Sequence, residues 1–293
     1  MKILIGVADD ATSPDAVAFG ATLAATYSAE VAVVTVSPEA GEYVNDHRGR
    51  LAQTGAGEEQ AALVERCAQI LQHDHDITAQ AMVHQHRSIG VGLSEIAEGT
   101  GADLVVVGSG PGGSLGRFTM GSTSNQLLHH IAVPLVLVPS GYARHALPTL
   151  RRVMVAFAQG DEGRLALTRG LELARAAALP MDVMTILVRH RVFGSDLGAD
   201  AEGGVLTGSL ELLREYQAQA LAMLDTSGVQ ISADVLVGDS PAEAMHREDW
   251  EPGDLLVLAS AAGGLLRRVF LGDMTFKILR ASTVPTLVLP RHT

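Results

Sequence analysis

At 293 residues the chain is long for one core and suits two domains, and 47% hydrophobic against 4% aromatic residues means cores built from Val, Leu, Ile and Ala. A net charge of -12, from 21 Lys and Arg against 33 Asp and Glu, offers no basic face to a phosphate backbone and excludes nucleic acid and anionic membrane as partners. One cysteine, Cys67, excludes an internal disulfide and a cysteine-based metal site.

From the start, strands alternate with helices. Residues 3–7 read as a strand followed by an acidic turn, with none of the long apolar stretch of a signal peptide. A helix is predicted over 14–28, with Ser13 as N-cap and Pro14 at its first position. A strand over 31–36, a helix over 58–71, a strand over 77–83 and a short helix over 91–98 follow. The run ADLVVVG (102–108) is continuously apolar and reads as a strand buried on both faces. A helix over 122–131 and the strand PLVLVP (134–139) close the first half. No run approaches the roughly 20 apolar residues of a membrane span, so the cytoplasm is the expected compartment.

The second half repeats the order, with strands over 151–157, 181–188, 229–237, 253–259 and 283–290 and helices over 161–178, 210–224 and from 241. The offset from Asp103 to Asp254 recurs from Gly121 to Gly272 and from Pro134 to Pro285. One register held through a strand, a glycine turn and a Val-Pro strand means duplicated domains, 1–140 and 150–293, joined by a linker over 140–149. The expected class is α/β, with two tandem doubly wound parallel five-stranded sheets. Ligands of such sheets sit beyond the carboxyl ends of strands, where the strand order reverses. A Gly/Asp-rich segment over 189–207 reads as an insertion, either a mobile lid or disordered, and 37–57 is similarly loose.

The loop after the fourth strand carries the chemistry. It reads GSGPGGSLGRFTMGSTSN from Gly108, and Gly121, Ser122, Thr123 and Ser124 open the next helix. Glycines let backbone N–H groups approach an anion, and a helix N-terminus adds free N–H groups and the positive end of its dipole. The hydroxyls add donors, so the parts make a phosphate cradle without a lysine. The match to G-x-G-x-x-G at Gly108, Gly110 and Gly113 follows the wrong strand for a dinucleotide fingerprint, and no Gly-Lys-Ser/Thr of a Walker loop occurs.

With this placement, the chain resembles the universal stress protein family twice over. That family's signature, G-x2-G-x9-G-[ST] before a Val-Pro strand, reads here Gly108-x2-Pro111-x9-Gly121-Ser122. The resemblance implies an adenine nucleotide alpha hydrolase-like fold and a bound ATP or AMP. Its contacts would be Val7 and Ala8 after the first strand, Val36 after the second, Gly108 and Gly110, and Gly121 to Ser124 on phosphates and ribose. Pro111 lacks an N–H where the signature has glycine, with Gly110, Gly112 and Gly113 alongside to compensate. Ala8 stands where the family carries Asp, and Asp9 serves if the loop shifts by one residue. Asp9 and Asp10 could hold Mg²⁺ beside a triphosphate or form an exposed acidic turn. The resemblance also implies that the fifth strands pair the two domains within the chain, with a homodimer as a further possibility. No catalytic residue is identified; slow ATP hydrolysis is the most the resemblance allows.

The second copy has Ala259 and Ala262 at the two motif positions, and Asp273 after Gly272. A carboxylate there caps the helix and occupies the anion site. The alternative to a nucleotide-binding regulator is an interaction module with both sites degenerate. A third reading is metal binding by His73 and His75 with His84 and His86, each pair at i, i+2 on an extended segment and so facing one way. His129 and His130 close the last helix of the first half, where cations complement the dipole.

Overall fold

The computed structural model describes residues 1–10, 13–37, 56–110, 115–189, 199–259 and 273–290. The first repeat runs β1 (Lys2–Gly6), α1 (Ser13–Tyr27), β2 (Glu30–Ser37), α2 (Ala56–His75), β3 (Ala79–Gln85), α3 (Ile89–Thr100), β4 (Leu104–Gly108), α4 (Ser122–His130) and β5 (Leu135–Val138). The second runs β6 (Arg152–Ala156), α5 (Asp161–Ala176), β7 (Met181–Val188), α6 (Ala199–Ala222), β8 (Ile231–Gly238), α7 (Pro241–His246), β9 (Asp254–Ala259), α8 (Asp273–Ala281) and β10 (Thr286–Leu289).

Each repeat is a parallel sheet with helices on both faces. The two halves are continuous, in the order β3-β2-β1-β4-β5-β10-β9-β6-β7-β8. Strands within a half are parallel, whereas β10 runs antiparallel to β5, with Thr286 opposite Leu137 and Val288 opposite Leu135. Central strands are apolar on both faces because both are covered: Leu104 to Val107 of β4 are buried throughout. One core packs Ile3 and Ile5 with Phe19, Leu23, Leu71, Val153, Val155 and Leu167; the other packs Leu4 and Val34 with Leu127, Ile131, Leu137, Met154 and Leu279. Both cores cross the β5–β10 seam, so the repeats share an interior. No helix among the described residues is long and apolar enough to cross a membrane.

The linker is fastened along α1. Buried Asp15 accepts the Gly141 and Ala143 N–H groups, each at 2.8 Å. Thr22 donates to the Leu147 carbonyl at 2.6 Å, and Thr26 accepts the Leu150 N–H at 2.8 Å.

Several sequence-based boundaries are corrected. α2 continues to His75 before Asp76 turns left-handed at φ 54, and this delays β3 by two residues relative to the expected 77–83. His73 and His75 therefore lie on a last helical turn, about 200° apart around the axis, and not on an extended segment. Much of the expected 189–207 insertion is helical: α6 begins at Ala199, against the predicted start at 210. Its three early glycines and two acids masked a helix that packs its later turns on β7 and β8. Residues 190–198 lie outside the described residues.

Cys67, on the inner face of α2, is 6% exposed, and burial pushes its thiol above the ordinary range while neighbouring Arg66 opposes the shift. Because the thiolate is the nucleophile, the native protein at about pH 8 is expected to leave a disulfide reagent untouched while denatured chain reacts at once. Stoichiometric labelling of native protein on mixing would show that α2 opens readily.

Candidate functional site

The carboxyl ends of β2, β1 and β4 form one rim, and the strand order turns between β1 and β4. Beyond β1, buried Val7 donates its N–H to the Val34 carbonyl at 2.9 Å. Ala8 is tied down by Ser13, whose hydroxyl accepts the Ala8 N–H at 2.8 Å and donates to the Ala8 carbonyl at 2.6 Å. Ser13 is thus a buried clasp in the first turn of α1 rather than a residue ahead of it; the capping acceptor is Asp10, which takes the Ser13 N–H at 3.2 Å. Asp9 is exposed beside this clasp.

The second repeat closes the same loop differently. At Gly163 a Cβ would meet the Ala158 carbonyl oxygen at 1.6 Å, so the backbone itself fills the space that the Ser13 side chain bridges. Gln217, 1% exposed, donates to Thr185 Oγ1 and to the Asp234 carbonyl, both at 2.9 Å, and Thr185 donates to the Phe157 carbonyl at 3.1 Å. The region behind the β6 end is therefore filled by side chains.

Beyond β4, the loop folds back on α4. Buried Ser109 accepts the Thr119 N–H at 2.7 Å, and Gly110 donates to the Thr119 carbonyl at 2.7 Å. Gly110 then lies flat against Gly121: a Cβ on Gly110 would stand 2.8 Å from the Gly121 nitrogen and 2.9 Å from its Cα. Gly121 is the N-cap of α4, with φ -91 and ψ 174 and no side-chain cap. The first helical bond runs from the Asn125 N–H to the Gly121 carbonyl at 3.0 Å, so the amides of Ser122, Thr123 and Ser124 precede the ladder. Ser122 is exposed, Thr123 half-buried and Ser124 buried. Gly108, Gly110 and Gly121–Ser124 are thus brought together. Pro111 and Gly112 lie outside the described residues. Val36 is buried in β2, opposite His84 of β3, and reaches the rim two strands from β4.

Sequence reasoning missed the residues that hold this geometry. Gln126 of α4 accepts from the Ser88 hydroxyl at 3.0 Å and the Gly90 N–H at 3.2 Å, which locks the start of α3 to α4. Arg117, the single cation between Gly108 and Gly121, reaches across the seam to His246 Nε2 at 2.8 Å. Both pairings are long-range and leave no local pattern. His84 and His86 lie with parallel rings 6.5 Å apart, and Glu95 spans them at 3.5 and 3.8 Å. The other histidine pair lies elsewhere, on α2, so the two pairs do not converge. Among the described residues no group of three or more His, Cys, Asp or Glu is placed to hold a metal ion.

In the second repeat the corresponding loop, including Ala262 and Gly272, lies outside the described residues, and α8 opens with Asp273. At the base of that repeat, Arg152 forms a fork with Asp254 at 3.0 and 2.6 Å and also reaches Asp182 at 2.8 Å and Glu248 at 3.3 Å. The hydrogen bond to Asp254, itself 1% exposed, raises the Arg152 pKa further. Burial pushes the Glu248 carboxyl above its ordinary range, and Arg152 counters part of that shift.

A family model described as the universal stress protein family matches residues 1–139 and 149–290. Universal stress proteins of Mycobacterium tuberculosis and Mycobacterium bovis are each 35% identical over 210 residues, covering 70% of this chain and 70% of theirs. The crystal structure of a universal stress protein from Archaeoglobus fulgidus superposes with a TM-score of 0.67 at 14% identity, covering 99% of this chain and 98% of that one.

Proposed function

Since the chain belongs to the universal stress protein family, we propose that its first repeat binds an adenine nucleotide, ATP or AMP, while the second serves as a folded partner that has lost the site. The observation that carries this reading is the N-terminus of α4, bare of any side-chain cap and set against the Gly110–Gly121 contact. The amides and hydroxyls of Ser122 to Ser124 would take the phosphates, with the helix dipole favouring negative charge there. The Val7 N–H and both Ala8 backbone groups are already engaged, so the β2 end at Val36 and the exposed Asp9 are left to meet the base and ribose, or Mg²⁺ beside a triphosphate. Antiparallel pairing of β5 with β10 would make the two repeats an intrachain pseudo-dimer.

Asp273 supplies the contrast, because it occupies in the second repeat the register position of Ser122. Ser122→Asp therefore imports the degenerate site into the working one. Its carboxylate sits well at a helix start, so the melting temperature should hold or rise slightly. Binding of a fluorescent ATP analogue should weaken at least about tenfold, from repulsion of the phosphates at a site built for one anion. Unchanged affinity in this variant would remove the α4 N-terminus from the site. No saturable binding by the wild type would leave the protein as a nucleotide-independent interaction module.

A further inference from the structure

A cavity of about 370 Å³ lies where the end of β5, the linker and the start of β10 meet, and neither repeat could form it alone. The first repeat contributes Leu115 and Gly116 from the glycine loop and residues 139–142, 144 and 145; the second contributes 250–253 and 283–285. Its volume is at the small end of the roughly 300–1,000 Å³ typical of ligand sites.

The walls are fixed before any ligand arrives. Trp250 donates its indole N–H to the Met245 carbonyl at 2.8 Å, which anchors the ring. Tyr142 packs edge-on against Phe19 with ring centres 5.3 Å apart. Ser140 accepts the Gly116 N–H at 2.8 Å and donates to the Arg117 carbonyl at 3.2 Å, so the loop tip is stitched to the linker. Asp15 holds the linker from below through Gly141 and Ala143. Walls ordered in advance reduce the entropy lost on binding. Leu115, among the residues that line the cavity, is an apolar side chain left 64% exposed.

The charge on the lining has one sign to spare. Glu251 is matched by Arg151 at 3.5 Å. Arg144 has no ion pair among the described residues, and His145 stands next to it. Aromatic and proline surfaces favour a flat apolar body, and a guanidinium favours a carboxylate, which it can hold in a two-pronged hydrogen bond.

We propose that this seam cavity is a second ligand site, separate from the α4 N-terminus, that takes a small planar aromatic carboxylate. Trp250 is the chain's only tryptophan, so its emission reports occupancy directly. The probes are benzoate and its uncharged, equally flat counterpart benzamide, added to the full chain without nucleotide. Benzoate should change Trp250 emission saturably, with half-saturation at about 1 mM or below, and benzamide should bind roughly tenfold more weakly. Arg144→Gln, at an exposed position, should reduce benzoate to the level of benzamide and leave the emission of the free protein unchanged. Equal response to both probes, or full benzoate affinity in Arg144→Gln, overturns the proposal. Benzoate binding seen by calorimetry without a change in Trp250 emission puts the anion elsewhere and also overturns it, as does the absence of both signals. Saturable nucleotide binding is measured separately, so failure here leaves the α4 reading untouched.

Discussion

Arg152→Met is expected to cost about 3–5 kcal/mol, the usual loss when one partner of a buried ion pair is removed and the other is left behind. Three carboxylates converge on Arg152. Asp254 is almost wholly buried, and Asp182 and Glu248 are only 25% and 20% exposed. Without the guanidinium they face one another at the base of β6, β7 and β9 with no cation to balance them. The effect should depend on pH, and its sign follows from Glu248. Its pKa is raised in the folded protein, first by burial, and losing Arg152 removes the main opposing influence. A carboxyl that holds its proton more tightly when folded adds stability at low pH, and that stability is lost as pH rises through its folded value. The deficit of Arg152→Met should thus be larger at about pH 8 than at about pH 4, read as the shift in urea midpoint. Arg152→Lys keeps the charge but loses the fork to Asp254, and should recover less than half of the loss. In the first repeat, β1 begins with Lys2, whose amine among the described residues reaches only the Thr100 carbonyl, at 3.0 Å, and Lys2→Met should cost under about 1 kcal/mol. Equal effects at Lys2 and Arg152 would sink the account.

Gly110→Val should part the β4 loop from α4. The Cβ it adds would lie within 3.0 Å of three backbone atoms, the Gly121 nitrogen and Cα and the Thr119 oxygen, and none can rotate away. Overpacking of this kind costs about 1–3 kcal/mol, and here the strain falls on the helix start itself. Binding of the fluorescent ATP analogue should fall by about a hundredfold or more, since amides displaced by an ångström no longer converge on one phosphate. Gly121→Ala is the milder control, because its Cβ comes no nearer than 3.2 Å to the Gly110 Cα and 4.0 Å to the Gly110 nitrogen. The second repeat already carries Ala261 at the position in register with Gly110. Undiminished binding by Gly110→Val, with the fold intact, would show that the glycine contact does not shape the site.

The repeat and the parallel sheet were legible because buried strands such as β4 and β9 are continuous apolar runs, and because one register recurs through both halves. The glycine loop and the start of α4 were legible from their punctuation. Their physical reason was not: the spacing suggested glycines cleared for an anion, whereas Gly110 and Gly121 are cleared first for each other. Ser13 was visible as a helix start but not as the clasp on Ala8. Asp15, Gln126 and Arg117 act through contacts to the linker, to α3 and to α7, and no local pattern in a single sequence marks such partners. The first turns of α6 are not legible because Gly203, Gly204 and Gly208 outweigh the helical spacing around them.

The antiparallel seam between β5 and β10 also bears on inheritance. In a pair of identical chains every substitution appears twice, so a change that ruins one pocket ruins its mate. Here the mates are encoded separately and remain at equal number and fixed proximity whatever the protein's abundance. One copy can then accumulate an Asp273 or an Ala261 at no cost to the other, and its surface is released to line a junction that two equal copies would have been bound to keep symmetrical.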